Sequence, residues 1–181
     1  MNLEEKTISS KVLYKGSIVT LHIDEAELPN GNTAYREVVN HPGGVTVAAL
    51  TNKNELLFVR QYRYPFHEIV LELPAGKLEK NNAPLENAKR ELIEETGAVG
   101  YNFISLGKQM VSPGFCDEVV HMYMCRIDHF EQQQPDDDEF LEIERIPLDK
   151  AVEMVLNNII VDGKTQTAVL KAAMLLRSGA V

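Results

Sequence analysis

Cysteine is scarce in this chain: Cys116 and Cys125 are the only two. Two cannot build a disulfide framework, and neither has a partner at zinc-finger spacing, so the reading is two reduced thiols in a cytosolic protein. No apolar run approaches the length of a bilayer span. The first eleven residues are polar and charged, unlike a secretory signal. The expectation is therefore a cytoplasmic protein with no membrane partner. Internal repeats and low-complexity linkers are lacking too. Basic residues are in deficit: 18 Lys and Arg stand against 27 Asp and Glu, for a net charge of -9. Non-specific nucleic-acid binders carry the opposite sign, which argues against a nucleic-acid partner. An anionic substrate remains open if metal ions bridge it to focused acids.

What is present is an ordinary globular composition, 44% hydrophobic and 25% charged over 181 residues. That is enough chain to bury one core without staples. The first half reads as strands. Residues 17–26 alternate apolar and polar, Leu28-Pro29-Asn30-Gly31 signals a hairpin, and residues 34–40 return as its partner. Residues 45–50 and 56–59 form a second hairpin around Thr51-Asn52-Lys53-Asn54, and residues 69–73 a further short strand stopped by Pro74. At residue 84 the period changes. Leu85, Ala88 and Leu92 recur at helical spacing, Pro84 suits a first turn and Gly97 a helix end. Residues 119–126 and 140–146 are strand-like, and helices are expected over 149–156 and 165–177. This order predicts an α/β (α+β) sandwich with helices packed on a mixed sheet. The break at His41-Pro42-Gly43-Gly44 divides a small N-terminal β-region, residues 1–41, from the main domain, residues 42–181.

The helix over residues 84–96 carries the chemistry. Glu91 and Glu95 stand at i,i+4 with their carboxylates on one face, a repulsive pair unless a cation sits between them. Glu94 stands at i,i+4 from Arg90 and reads as a braced partner. Hard divalent cations such as Mg²⁺ take oxygen ligands of this kind. Just upstream, Leu71-Glu72-Leu73-Pro74-Ala75-Gly76 ends a strand. Gly76 there lets backbone approach a ligand, and the Ala75 carbonyl is a candidate third metal ligand.

Gly76, Arg90, Glu91, Leu92, Glu94, Glu95, Gly97 and Ala98 together resemble the Nudix box, whose pattern is Gly, five residues, Glu, seven residues, Arg-Glu-apolar-x-Glu-Glu-x-Gly-apolar. At ordinary residue frequencies, six fixed matches arise by chance at roughly one in 10⁷ per starting point. The pattern's first Glu falls on Asn82, whose side-chain oxygen could cap the helix, with Glu79 nearby as a compensating acid. His41-Pro42-Gly43-Gly44-Val45, Arg60-Gln61-Tyr62-Arg63, Glu72-Leu73-Pro74-Ala75-Gly76, Ser112-Pro113-Gly114-Phe115 and Asp138-Glu139-Phe140 extend the resemblance, over about residues 5 to 175, to the ADP-ribose pyrophosphatase branch.

The resemblance implies a Nudix-type α/β/α sandwich and Mg²⁺-dependent hydrolysis of ADP-ribose to AMP and ribose 5-phosphate, with Mn²⁺ as a substitute metal. Glu91, Glu95, Glu94 and Ala75 would hold metal, and Arg63, Gly76, Ser112, Gly114 and Glu118 would meet substrate. The polar stretch from Gln132 to Glu144 would be a loop that swings over the site and supplies the base. Glu139 and Asp137 are joint candidates, Glu139 slightly ahead because Asp137 stands where relatives carry Glu and is one methylene shorter; Glu94 or Glu118 follows. The N-terminal hairpin region resembles a piece exchanged in a homodimer. Two rivals stand beside this reading: hydrolysis of another nucleoside diphosphate derivative, such as a nucleotide sugar, FAD or a dinucleotide polyphosphate, and a Nudix-like sensor that binds ADP-ribose without cleaving it.

Overall fold

The computed structural model describes residues 2–136 and 139–179. The chain divides into two compact units, Met1–Gly43 with Met110–Val119, and Gly44–Gln109 with Val120–Val181.

The first unit is an antiparallel sheet of β1 (Lys6–Lys15), β2 (Thr20–Glu27) and β3 (Thr33–Asn40) in the order β1-β2-β3. The hairpin at Asn30-Gly31 joins β2 to β3 in register from Thr20↔Asn40 to Glu27↔Thr33. Gly31 takes φ +86, the left-handed region such a turn demands. Every residue of β1 is exposed, Ile8, Val12 and Tyr14 included. A three-stranded sheet with one strand this open buries only part of its own apolar surface.

The second unit is built on a seven-stranded mixed sheet. Its elements are β4 (Gly44–Leu50), β5 (Glu55–Arg63), β6 (Glu68–Glu72), β7 (Ala75–Lys77), α1 (Pro84–Thr96), β8 (Ala98–Met110), β9 (Val119–Phe130), β10 (Leu141–Pro147), α2 (Leu148–Leu156) and α3 (Gly163–Ser178). The strand path is β10-β5-β4-β9-β8, with β6 on β5 and β7 on β4. β4 runs parallel to β9, while β10 lies antiparallel to β5.

β4 is buried at every residue because both its faces are covered. Val45, Val47 and Ala49 pack with Leu57, Cys125, and Ala88 and Leu92 of α1. Ala48 and Leu50 point the other way, into a larger core with Phe58, Met122, Val152 and Val169 against α2 and α3. The period-two alternation of one strand thus sorts its side chains between two helical layers. No helix among the described residues is long and apolar enough to cross a membrane.

Candidate active site

α1 presents two neighbouring stripes to the interior. Ala88, Leu92 and Thr96 form one; Asn87, Glu91 and Glu95, also four residues apart, form the other, and all six are buried. The polar stripe is read off by the loop from β7. The Asn87 Oδ1 accepts the Glu79 N–H at 3.1 Å. The Glu91 carboxyl lies over Gly76, where a Cβ would overlap it. The Glu95 Oε2 accepts the Ala75 N–H at 3.0 Å. Gly76 was expected to open space for a ligand; the space it leaves is filled by Glu91.

Burial pushes both carboxyls above the ordinary range, against the pull of Arg90 on Glu91 and of the Ala75 N–H on Glu95. Glu95, only 1% exposed, is pushed up to about 8. The charge of Glu139 contributes to the rise at both residues, so the structure brings Glu139 within electrostatic reach of the pair. Asp137, its rival, lies outside the described residues.

Arg90 does more than brace Glu94. Its guanidinium donates to Glu94 and, at 2.6 Å, to Glu91, and stands 3.4 Å from Glu79. Among the described residues no set of three or more acidic, histidine or cysteine side chains converges in a metal-holding arrangement; the Arg90 cation lies among the acids instead. The donor set nonetheless fits a hard divalent ion. It offers oxygen ligands, among them the carboxyls of Glu91 and Glu95, which are buried and costly to ionise without a cation.

Two expectations of the loops are corrected. Asn82 does not cap α1: the N-cap is Ala83, without a side-chain bond, and Asn82 Nδ2 donates to Glu79 Oε2 at 2.8 Å. The glutamine segment, expected to be mobile, is fastened to the end of α1. The Gln133 side chain donates to the Glu95 carbonyl at 2.6 Å, the Gln134 N–H to the Glu94 carbonyl at 3.0 Å, and the Glu131 N–H to the Gly97 carbonyl at 2.7 Å. A helix leaves its last carbonyls without partners, and this segment supplies them. Further on, the Glu139 N–H donates to the Asp136 carbonyl at 2.9 Å. Glu139 also lines an open hollow of about 640 Å³ with Tyr62, Ile69 and Phe140.

Arg63 forms a two-pronged pair with Glu72, Nε to Oε1 at 2.6 Å and Nη2 to Oε2 at 2.7 Å. This is no surface pair, since Glu72 is 2% exposed. Burial alone would raise the Glu72 carboxyl, but Arg63 and Lys164 outweigh it and hold it below the ordinary range. Lys164 and Glu72 are 92 residues apart in sequence, so no local pattern shows the pairing. The clue was the charge itself, set between the apolar residues Leu71 and Leu73.

Ser112, Gly114 and Glu118 belong to the first unit. The Ser112 carbonyl accepts from the Phe115 and Cys116 N–H groups, and Gly114 has open space about it. Asp117, which the sequence reading passed over, ties this loop to β3 by accepting from Asn40 Nδ2 at 2.8 Å and the His41 N–H at 2.7 Å. The Glu118 Oε1 lies 3.5 Å from the His41 ring.

Residues 40–164 match the NUDIX domain, and residues 5–39 match the nucleoside diphosphate sugar hydrolase N-terminal domain. The chain belongs to the Nudix family. It is 42% identical to a methanol dehydrogenase activator of Bacillus methanolicus, over 92% of this chain and 91% of that one. It is 38% identical to an ADP-ribose pyrophosphatase of Bacillus subtilis, over 93% and 92%. A crystal structure of an ADP compounds hydrolase superposes with a TM-score of 0.87 at 17% identity, covering 99% of this chain and 98% of that one, which fixes the fold.

Proposed function

We propose that the chain hydrolyses the pyrophosphate bond of ADP-ribose, consuming one water and releasing AMP and ribose 5-phosphate. The observation that carries this reading is the buried carboxylate pair Glu91 and Glu95, set against the β7 loop with the charge of Glu139 in reach. A bound divalent cation, Mg²⁺ or Mn²⁺, would neutralise the phosphoryl oxygens and lower the pKa of an attacking water. Glu91 and Glu95 would hold such an ion, with Glu94 and the Ala75 carbonyl as further ligands. Arg63 meets the anionic substrate through Nη1, the arm that has no protein partner among the described residues. Glu139 takes the proton from water as the bond breaks. Phosphoryl transfer of this kind needs little beyond positioning and charge neutralisation. Ser112, Gly114 and Glu118 are proposed as further substrate contacts.

We further propose that residues 1–41 form a region exchanged in a cytoplasmic homodimer, for which the wholly exposed β1 is the support. Incubating the protein with ADP-ribose and other nucleoside diphosphate derivatives, with and without Mg²⁺, tests the activity. AMP and ribose 5-phosphate from ADP-ribose are expected; their absence, with another derivative cleaved, would move the substrate.

The 42% identity to a methanol dehydrogenase activator favours a second reading, in which this chain raises the rate of an alcohol dehydrogenase. Adding it to a methanol dehydrogenase tests that, and Glu95→Gln tells whether hydrolysis is required.

A further inference from the structure

The four residues from Glu72 to Ala75, which end β6 and open β7, are each fastened. The Glu72 carboxylate is held by the Arg63 fork and by Lys164 Nζ. The Leu73 N–H donates to the buried Thr165 Oγ1 at 2.9 Å. The Pro74 carbonyl accepts from Thr46 Oγ1 at 3.0 Å and from the Val47 N–H at 2.9 Å. The Ala75 N–H donates to Glu95. Two adjacent clamps, on Glu72 and Leu73, come from adjacent residues in the first turn of α3. That turn is itself fixed: Asp162 Oδ2 accepts the Thr165 N–H at 2.9 Å, and Asp162 Oδ1 lies 3.0 Å from Lys164 Nζ.

The carboxylate of Glu72 has two oxygens. Arg63 uses both, and Lys164 adds a second cation on Oε2. With its carboxylate held from two sides, Glu72 cannot rotate, and the plane of the guanidinium is set with it. Nε and Nη2 are spent on Glu72, so Nη1 is the arm left for an anion. The buried Glu95 lies near enough for its charge to be felt at Arg63.

We infer that Lys164 is a positioning residue for substrate binding: by gripping Glu72 it fixes the Arg63 fork and holds its free arm toward the substrate's phosphates. This rests on the proposed role of Arg63. Lys164 touches neither substrate nor reacting atoms, and acts through two side chains.

A double-mutant cycle tests it, with ADP-ribose as substrate and calorimetric binding of a non-hydrolysable methylene analogue of ADP as a second readout. Loss of a charge-assisted hydrogen bond in the chain of contacts is expected to raise KM about tenfold in Lys164→Met, with kcat within about twofold. Lys164→Arg should restore KM. In an Arg63→Met background Lys164→Met should add nothing, because the arm it positions is gone. An equal penalty in both backgrounds, or an unchanged KM with the fold intact, overturns the proposal. If Lys164→Met gives no cooperative melt, Lys164→Gln, which keeps a donor without charge, is read by the same criteria. Failure of both to fold also overturns it, since Lys164 would then be structural. A wild type that binds the analogue without turning over ADP-ribose sinks the proposed activity but leaves the affinity cycle to decide; one that does neither sinks both.

Discussion

The carboxyl group of Glu91 occupies the space that any side chain on residue 76 would need. The glycine of the box is thus a packing partner of its own glutamate, and the two are one device: the loop closes on α1 only because residue 76 has no Cβ. Gly76 does not take a left-handed φ, so its backbone would accept alanine. Gly76→Ala should therefore act by displacing Glu91 rather than by straining the loop. A misplacement of about 1 Å at such a group costs on the order of 10²-fold in turnover. The measurement is kcat/KM beside a thermal melt. Near-normal turnover would mean that Glu91 need not sit where it does.

Glu95 ties stability to pH and to metal. Its carboxyl titrates at about 8 in the folded chain against 4.5 ordinarily, chiefly through burial. The folded state therefore binds the proton more tightly than the unfolded one. The stability this proton contributes is fully present below about pH 4.5 and is lost as pH rises through about 8. A divalent cation takes the proton's place, so Mg²⁺ should raise Tm more at pH 8 than at pH 5. Glu95→Gln, neutral throughout, should flatten both dependences and remove most metal-dependent turnover, as should Glu91→Gln for turnover. Melts across pH 5 to 8, with and without Mg²⁺, check this; an equal metal effect at both ends would contradict it.

α1 was legible in the sequence to its ends, because Pro84 and Gly97 punctuate it and its apolar spacing is regular. β1 and β8 were not. β1 faces no core, so nothing enforces an alternation in its sequence. β8 is broken by left-handed residues, Asn102 at φ 50 and Gly107 at φ 90, which read as turns. Within the site, Glu91 and Glu95 showed through their i,i+4 spacing. Asn87, one step earlier in the same stripe, did not, because an asparagine on a helix face looks solvated until a loop N–H is found bonded to it. Glu72 and Lys164 meet only through the tertiary fold, and no local spacing encodes that.

The first unit predicts self-association. Ile8, Val12 and Tyr14 on β1 and Tyr35 on β3 are all about half exposed or more. Apolar surface left so open marks an interaction site. Light scattering should give twice the 20.3 kDa chain mass, and Val12→Lys with Tyr14→Lys should lower it toward one chain without changing the melt of the second unit. A wild-type monomer at working concentration would refute the exchanged homodimer.

The last prediction concerns the proton. Glu139 follows a segment, residues 131–134, that is pinned to the end of α1. That pinning keeps the residue's reach short and its position tied to the helix that carries Glu91 and Glu95. Its charge already registers on both of them. Proton abstraction needs a heavy-atom approach of about 2.6–3.2 Å. The arm of Asp137 is about 1.5 Å shorter, one carbon–carbon bond. Glu139→Gln should accordingly lower kcat by about 10²-fold or more, with little change in KM, as expected when a group acts only in the transition state. Asp137→Asn should do less. Steady-state kinetics at saturating Mg²⁺ separate the two; a silent Glu139→Gln beside an inactive Asp137→Asn would reverse the assignment, and two silent variants would pass the role to Glu94. Because Glu139 also raises the carboxyls of Glu91 and Glu95, its neutralisation should lower both. The loss of stability linked to Glu95 should then be complete at lower pH even as kcat falls, a shift that melts across pH 5 to 8 would read.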